Sequence, residues 1–411
     1  MKPPPPAERP ARRTALSQLG GEIEVWGEPQ GAEALRSALD VDATETGELR
    51  DVHGFHSYPA RMHPETAARL IAALSSSGQT VLDPFCGSGT VLVEARRLGR
   101  RGAGFDINPL SRELSWLKTL APEDSWLDAF AEAAAQVAAH ADARRQQRAG
   151  ATRRYAEVDR TQFAPHVLLE LDGLRDGILR VESPELRRAL LLVLSALLTK
   201  VSSRGGDSSE RPSEKRIAPG FPSRFLLKKA SELATRLRSY RESLPEAAPP
   251  ATCALGDARQ LPGLAPRSVA LVVTSPPYPG VYDYLAHHDD RLRWLGLSSR
   301  DFEQLEIGSR RELQGVAFGP ALARWERDLE ATLAALARGL ASVGQIVLLI
   351  ADSTLAERAL YAERVVEQVA PRAKLKLAAR ASQARPHFHG ASRAAFARKP
   401  RREHLLLLTP A

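Results

Sequence analysis

The run from Thr274 to Tyr278 reads Thr-Ser-Pro-Pro-Tyr and follows an apolar stretch, 268–273, that predicts a buried strand. Two consecutive prolines fix φ and lack N–H groups, so their carbonyls are acceptors in a rigid turn. Ser275 adds a hydroxyl acceptor, and Tyr278 adds a flat face on which a planar ring can stack. These groups suit the holding of a planar amine. A rigid turn that only ends the strand is the alternative interpretation.

A second candidate site lies at 81–95, where an apolar strand ends at Asp83 and leads through a glycine-containing loop into a predicted helix. Gly87 and Gly89 permit positive φ and close backbone approach, and the start of the helix offers free N–H groups. The loop lacks the dinucleotide fingerprint because Leu92 stands where a third glycine is needed. A carboxylate at the strand end would repel a pyrophosphate but would pair with the ammonium of a zwitterionic amino-acid group.

Two further predicted strands also end near carboxylates. One ends at Asp106, which is placed to accept hydrogen bonds from ribose hydroxyls, and the other begins near Cys253 and leads to Asp257, which could accept from an adenine amine. Parallel strands end at one edge of a sheet, so we expect these side chains to lie near Asp83. Three carboxylates and a glycine loop predict a nucleoside pocket without phosphates.

The block from Asp83 to Thr90 (DPFCGSGT), taken with the Thr-Ser-Pro-Pro-Tyr run, resembles the S-adenosylmethionine-dependent DNA methyltransferases that act on exocyclic amino groups. The stretch 56–64 resembles the segment that precedes their cofactor loop. The resemblance covers residues 53–110 and 252–290 and is weaker toward the C-terminus. It implies an α/β fold: a doubly wound, Rossmann-like methyltransferase sheet with a mostly helical insertion.

The resemblance also implies a role for each matching residue. The implied cofactor is S-adenosylmethionine, with binding residues Tyr58, Asp83, Pro84, Phe85, Gly87, Ser88, Gly89, Thr90, Asp106, Asn108, Asp257 and Ala258. The implied catalytic residues, which would grip a base flipped out of double-stranded DNA, are Ser275, Pro276, Pro277 and Tyr278. The implied reaction is direct methyl transfer from sulfonium to nitrogen by a site-specific enzyme of the kind found in restriction–modification systems.

In this family a Ser-Pro-Pro-Tyr motif is seen more often with the 4-amino group of cytosine, and an Asp- or Asn-led motif with the 6-amino group of adenine. Cytosine N4 is therefore favoured, with adenine N6 or a base amine in RNA as alternatives. Methylation at cytosine carbon 5 needs a thiolate beside the base, but Cys86 lies in the glycine loop and Cys253 in an apolar strand. A protein-amide methyltransferase, typically with Asn in place of Ser275, and a non-enzymatic nucleic-acid-binding relative are more distant alternatives.

Composition limits the class of protein. The 411 residues carry a formal net charge of +8 and a sequence pI of about 9.7, which suits a polyanionic partner, although an ordinary arginine-rich surface gives the same balance. Two cysteines exclude a disulfide framework and suit a reducing compartment. The longest apolar stretch, 189–198, is too short to span a bilayer, and the first six residues lack the apolar core of a secretory signal. We expect a cytoplasmic protein.

Hydrophobic spacing predicts the elements that position these residues. We expect a disordered Pro/Arg-rich tail at 1–20, the cofactor-binding half of the core at 50–122, the helical insertion at 123–249 and the catalytic half at 250–411. Helices are predicted at 64–75, 90–98, 123–148, 163–180, 184–202, 225–241 and 325–340, and late strands at 345–350, 375–379 and 404–408. The insertion could recognise the target sequence or serve only as a scaffold.

Two basic segments could contact nucleic acid. The first, 202–223, is predicted to be a mobile loop that either closes over DNA or takes no part. The second, 380–402, is the densest basic stretch, for which a solvated loop is the alternative to phosphate contact. Its basic residues are Arg385, His387, His389, Arg393, Arg398, Lys399, Arg401 and Arg402. The predicted DNA contacts are Arg393, Lys399, Arg401 and Arg402.

The run from His287 to Asp290 has metal-ligating residue types. Adjacent residues on a helix project in different directions and rarely chelate together, and the implied reaction needs no metal, so we predict no metal site. Arg291, Arg293 and Trp294 are expected to continue this helix beside the base pocket.

Overall fold

A computed structural model describes residues 21–41, 51–206, 209–212, 215–385 and 390–411; the predicted tail at 1–20 lies outside them. The strands are β1 (Ile23–Gly27), β2 (Thr80–Asp83), β3 (Arg101–Asp106), β4 (Arg204–Gly206), β5 (Ser209–Pro212), β6 (Thr252–Leu255), β7 (Val269–Thr274), β8 (Leu340–Ala351), β9 (Ser353–Leu355), β10 (Arg358–Leu360), β11 (Leu375–Ala384) and β12 (Arg402–Pro410). The helices are α1 (Pro29–Leu39), α2 (Pro64–Leu74), α3 (Thr90–Arg97), α4 (Pro109–Lys118), α5 (Asp124–Gln146), α6 (Glu157–Gln162), α7 (Pro165–Leu179), α8 (Pro184–Val201), α9 (Phe221–Glu242), α10 (Tyr284–Leu295), α11 (Arg300–Leu305), α12 (Arg310–Leu313), α13 (Phe318–Gly339), α14 (Ala362–Val369) and α15 (Gly390–Ala395). Short 3₁₀ helices lie at Asp51–Gly54 and Ala370–Ala373.

Eight strands form one sheet in the order β1-β11-β12-β8-β7-β2-β3-β6. The five strands from β8 to β6 are parallel, whereas β12, β11 and β1 add on through antiparallel pairs. The predicted doubly wound α/β sheet is confirmed, and the predicted late strands at 375–379 and 404–408 lie within β11 and β12, which pair antiparallel. The chain leaves β2 toward β3 and β6 on one side and returns to β7 and β8 on the other, so the strand order reverses between β2 and β7.

Side chains on the central strands β2 and β7 alternate between two buried layers, as a sheet covered on both faces requires. Val81 and Leu271 pack on the face covered by α1, α2 and α3. Leu82 and Val272 pack on the opposite face, which α13 and α14 cover. Burial of each such side chain stabilises the fold by roughly 1.5–3 kcal/mol. The strand ends that carry the predicted site are therefore fixed by the cores on both faces.

The predicted helical insertion is helical, with α5 to α9 between β3 and β6. Its helices share one core with helices that flank the sheet: Phe130, Leu171 and Leu237 pack in the same cluster as Leu114 of α4 and Leu292 of α10. The predicted loop at 202–223 is wrong in part, since β4 and β5 pair within it and α9 begins at Phe221.

The sheet also contains residues ahead of the predicted start of the core at residue 50. β1 pairs antiparallel with β11 at the edge of the sheet, and α1 packs beneath it. The sequence does not predict this strand. Val25 and Trp26 are apolar neighbours and both are exposed, so the segment lacks the alternation of a half-buried strand.

Candidate active site

The two sequence motifs meet between β2 and β7, which are neighbouring parallel strands. Asp83 ends β2 and Thr274 ends β7, and the Thr274 hydroxyl donates to Asp83 Oδ1 at 2.6 Å. Both side chains are buried. The reversal of strand order at this pair makes it the switch point, where open α/β sheets bind ligands. A direct hydrogen bond thus joins two segments that are 191 positions apart in sequence.

The glycine loop is shaped for close approach. Gly87 has φ +51° and Gly89 has φ +85°, in the left-handed region that favours glycine. A Cβ atom at Gly87 would lie 3.2 Å from the Tyr58 ring, and one at Gly89 would lie 2.9 Å from Ser115 Cα. Gly89 is the N-cap of α3 and supplies no side-chain cap, so the first N–H groups of the helix face the loop without one.

Asp106 organises the next strand end. Its carboxylate accepts from the N–H groups of Gly87 and Asn108, both at 2.8 Å. Burial raises its pKa to about 6, although these two N–H donors favour the ionised form. Asn108 caps α4 through the N–H of Leu110 and contacts the His288 ring at 2.9 Å. Asp106 is therefore held in place by the glycine loop and the start of α4.

Asp83 is a carboxyl group in a buried environment. Burial raises its pKa to about 7, against the opposite effect of hydrogen bonds from Thr274 and the N–H of Phe85. A nearby positive charge would favour its ionised form. A ligand ammonium is a group of that kind.

Asp257 lies two residues beyond β6 and is also buried, but it already has a partner. Arg259 donates from Nε and Nη2 to its carboxylate at 2.9 and 2.7 Å, and from its backbone N–H at 2.9 Å. Arg259 also pairs with Asp328 at 2.7 Å. The predicted bond from an adenine amine to Asp257 would have to share these oxygens.

A first cavity lies over these strand ends. The predicted cofactor residues that line it are Tyr58, Asp83, Pro84, Phe85, Gly87, Ser88, Thr90, Asp106, Asn108, Asp257 and Ala258. Ser275 and Pro277 of the Ser-Pro-Pro-Tyr turn line it as well.

A second cavity adjoins the first. Tyr58, Thr90 and Ser275 line both cavities, whereas Tyr278 and Tyr282 line only the second. Of the predicted cofactor-binding and catalytic residues, all of which the structure describes, Gly89 and Pro276 are the two that line neither cavity. The structure thus brings the glycine loop and the Ser-Pro-Pro-Tyr turn to adjoining spaces on either side of Ser275.

Two tyrosines form the walls near this junction. The Tyr278 hydroxyl lies 3.5 Å from Ser275 Oγ, and burial raises the pKa of Tyr278, so the phenol is neutral at physiological pH. The Tyr58 hydroxyl contacts Ser111 Oγ at 2.8 Å, and its ring lies 4.8 Å from that of His288. Both rings have neutral, flat faces suited to stacking.

Sequence reasoning missed several residues that line the first cavity. Phe302 and Leu305 of α11 and Ile307 form an apolar wall, with Tyr284 and Glu306 beside it. Burial raises the pKa of Glu306 to about 7, opposed by the hydrogen bond from the Tyr284 N–H. No motif marks these positions; a short run of apolar residues around 302–307 was their only signal.

The cysteines are packed together, with Sγ atoms of Cys86 and Cys253 3.0 Å apart. Burial raises the pKa of Cys86, so the thiol is protonated at neutral pH. Cys86 lines the first cavity, and no cysteine is among the described residues that line the second.

The predicted DNA contacts differ in their exposure and in whether another group of the protein already pairs with them. Arg393 is exposed, and Lys399 lies over the Tyr361 ring at 4.8 Å. Arg402 is instead ion-paired with Glu24, and Arg401 Nε donates to the Asp352 carbonyl at 2.8 Å. Among the other basic residues named in 380–402, Arg398 is exposed, whereas Arg385 is buried and paired with Glu403. His387 and His389 lie outside the described residues.

The described residues contain no group of three or more His, Cys, Asp and Glu side chains placed to hold a metal ion. In the His287 to Asp290 run, His288 contacts Asn108, while Asp289 and Asp290 pair with Arg293. Arg291, Arg293 and Trp294 continue α10 as predicted. Across the parts of the chain that the structure covers, no helix has both the length and the apolar character needed to cross a membrane.

Known DNA methylases are similar to the part of this chain that contains the glycine loop. Residues 24–115 match the N6/N4 methyltransferase family model, described as DNA methylase. The Type II methyltransferase M.MvaI of Kocuria varians is 43% identical over 79 residues, which are 18% of this chain and 17% of that protein. The Type II methyltransferase M.MjaII of Methanocaldococcus jannaschii is 32% identical over 84 residues, 19% of this chain and 16% of that protein.

Among solved structures, the rRNA methyltransferase aviRa from Streptomyces viridochromogenes aligns with 91% of this chain and 96% of its own, at 15% identity and a TM-score of 0.34. A similarity of that size supports no statement about this chain. The family match includes β2, the glycine loop and Asp106 and ends before β7. Over residues 24–115 the predicted resemblance is confirmed, since this part of the chain matches the N6/N4 DNA methylase family model.

Proposed function

We propose that this protein transfers a methyl group from S-adenosylmethionine to an exocyclic amino group of a base in double-stranded DNA, with cytosine N4 as the favoured target. The observation that carries the proposal is the hydrogen bond from Thr274 to Asp83. It joins the end of β2, which lies within the family-matched segment, to the residue that precedes Ser275 in the Ser-Pro-Pro-Tyr turn, so a methyl donor and an amine would meet at Ser275.

The residues of the first cavity fit S-adenosylmethionine. Gly87 leaves space that a side chain would fill, and Asp83 and Asp106 would accept from the ammonium and the ribose hydroxyls. Ser88 Oγ is buried and has no hydrogen-bond partner among the described residues, so a polar ligand would satisfy it. The cofactor, when bound, supplies an electrophilic methyl group.

The turn after β7 would activate the amine. A base amine is a poor nucleophile because its lone pair is conjugated into the ring. The Ser275 hydroxyl and the Pro276 carbonyl would accept its hydrogens and stabilise developing positive charge, and fixed placement would supply part of the rate. Tyr278, in the wall of the second cavity, would stack on a base flipped out of the duplex.

Cytosine is favoured over adenine because the motif begins with Ser275, a tendency within the family. Adenine N6 and a base amine in RNA remain the alternatives, since each offers the same amine beside a ring nitrogen. For α5 to α9 we propose a part in target recognition, because they lie between the two motifs and pack against α4 and α10 beside the site.

The test is incubation with labelled S-adenosylmethionine and plasmid DNA, followed by mass spectrometry of the nucleosides. Parallel reactions use single-stranded DNA and RNA, and heat-denatured protein is the control. We expect N4-methylcytosine from duplex DNA. N6-methyladenine would leave amino-group methylation standing and reject the cytosine assignment. Methylation of RNA alone would reject the DNA assignment, and label in no nucleic acid would reject the proposed function.

A further inference from the structure

The second cavity contains a charged pair to which the proposed reaction gives no role. Arg385 follows β11 and Glu403 lies in β12, and both line this cavity with Ser275 and Tyr278. Since β12 is antiparallel to β8 and β11 is antiparallel to β12, β11 ends and β12 begins at the edge where β7 and β8 end. The pair and the Ser-Pro-Pro-Tyr turn are therefore at the same edge of the sheet.

Arg385 is held in one orientation. Nε and Nη2 donate to Glu403 Oε2 at 3.0 and 2.8 Å, and the backbone N–H donates to the Arg401 carbonyl at 2.9 Å. The residue is only 4% exposed. Its Nη1 is buried and has no hydrogen-bond acceptor among the described residues. A buried donor is costly to leave unpaired, so a ligand that supplies an acceptor is favoured.

The two candidate bases differ in the acceptors beside the amine. In cytosine, N3 and O2 follow the 4-amino group along one edge. In adenine, N1 follows the 6-amino group, and a C–H group then stands where cytosine has O2. The Arg385–Glu403 pair has no net charge, which suits a neutral base. A fixed guanidinium N–H in this cavity therefore favours cytosine.

Resting on the proposed function, we propose that Arg385 selects the target base. Its Nη1 donates to O2 of a flipped cytosine while the amine faces Ser275, and Glu403 holds the guanidinium in position. An adenine at the same place leaves the donor unpaired. Arg385 is then a specificity residue at the ring, distinct from the groups that contact the amine.

The experiment compares two bases at one position. The methylated position is first identified in plasmid DNA that has been treated with the wild-type protein. Short duplexes are then made with either cytosine or a mispaired adenine at that position. The value of kcat/KM is measured on both duplexes for wild type, R385Q and the control R380Q. Arg380 is also paired with a glutamate, Glu363, and lies in β11, the strand that Arg385 follows, but it lines neither cavity. Affinity for S-adenosylmethionine is measured for each.

We expect wild type to prefer cytosine by roughly tenfold to a hundredfold, the usual range for one hydrogen-bonded base contact. R385Q should lose this preference through slower reaction at cytosine, with cofactor affinity unchanged, and R380Q should keep it. If R385Q does not fold, R385K replaces it: lysine keeps the charge beside Glu403 but lacks the planar fork, and we expect the same loss of preference.

A preference that survives in the folded Arg385 variant overturns the proposal, as does an equal loss of both rates. A wild-type product of N6-methyladenine overturns it too, while the proposed amino-group methylation stands. If wild type methylates no nucleic acid, the proposed function itself is rejected.

Discussion

Asp83 connects the two halves of the candidate site through one side chain. Its Oδ1 accepts both from the Thr274 hydroxyl and from the Phe85 N–H, so the carboxyl group is fixed between β7 and the glycine loop. Burial raises its pKa to about 7 from an ordinary value of 3.8. A ligand ammonium would reverse that effect, which makes cofactor binding sensitive to pH near neutrality.

We predict that affinity for S-adenosylmethionine falls as pH decreases below about 7, approaching tenfold per pH unit, because binding must then displace a proton from Asp83. Stability should change in the opposite direction. With a pKa raised in the folded state, Asp83 contributes stability that is lost as pH rises from about 4 through 7.

The measurement is calorimetric binding and thermal unfolding from pH 5 to 8, with Asp83→Asn as the control. Asp106, with a pKa of about 6, and Glu306, with a pKa of about 7, titrate in the same window and line the same cavity. The contribution of Asp83 is therefore the difference between wild type and D83N in the pH dependence of affinity and of stability. Equal slopes in both proteins would contradict the assigned pairing.

Tyr278 provides the second residue-scale prediction. Tyr278→Ala should keep cofactor affinity and lose methyl transfer by roughly tenfold to a hundredfold, since stacking of one base contributes about 1–3 kcal/mol. Tyr278→Phe, which keeps the ring and loses only the contact with Ser275, should retain most activity. Single-turnover transfer to DNA measures both variants. Unchanged turnover in Y278A would show that the ring does not hold the base.

Among single residues of the site, the sequence predicts those that end strands. It does not predict those that reach the cavities from helices or loops distant in the chain. Asp83 and Asp106 follow short apolar runs, so their place at a sheet edge follows from the strand pattern. Glu306 reaches the cavity after α11, a helix of six residues with no marked periodicity. Arg385 belongs to a basic stretch, and only the pairing of β11 with β12 shows that it meets Glu403 and is buried.

The turn between β2 and α3 is the element on which cofactor geometry depends. We predict that Gly89→Ala lowers the free energy of unfolding by roughly 1–3 kcal/mol, because alanine disfavours φ +85° and its Cβ would lie 2.9 Å from Ser115 Cα. Chemical denaturation measures the loss. Gly263→Ala is the matched control: φ is +78° there, but nothing lies within 4 Å of the added Cβ. A loss no larger than that of G263A would exclude a role for the contact.

Elements with two covered faces or a clear helical period were predictable, whereas edge elements were not. β2, β7 and the second half of β8, 346–351, are buried on both faces and read as apolar runs. β1 exposes most of its side chains and is held by backbone bonds to β11, so its sequence carries little pattern. The short strands β4 and β5 pair mainly with each other and lie in a polar segment that resembles a loop.

At the scale of the whole molecule, affinity for DNA depends less on the net charge of +8 than on which basic side chains lack an acidic partner. Arg393 and Lys399 have no ion-pair partner among the described residues, whereas Arg402 pairs with Glu24. We predict that replacing both Arg393 and Lys399 by Gln flattens the dependence of log affinity for duplex DNA on log salt by about 2, near 0.9 for each lost phosphate contact. Arg402→Gln should change the slope little. Fluorescence titrations from 50 to 300 mM salt measure it, and an unchanged slope in the double variant would place the DNA elsewhere.

The core shared by the insertion and the methyltransferase half could not be predicted from separate helices. Alanine content predicted α5, and α7 and α8 were also predicted as helices, but which apolar faces meet depends on their packing around α4 and α10. The charge pattern likewise did not show that Arg402 would find Glu24 across 378 positions. Both depend on long-range contacts that a single sequence does not encode locally.

The most direct test of the central claim is a crystal structure of the protein with S-adenosylhomocysteine and a duplex containing the target base. We expect the adenosyl group over Asp106, the amino-acid ammonium at Asp83, and the sulfur and the base amine on opposite sides of a gap for one methyl group beside Ser275. A cofactor bound outside the first cavity, or a base amine remote from Ser275 and Pro276, would contradict it.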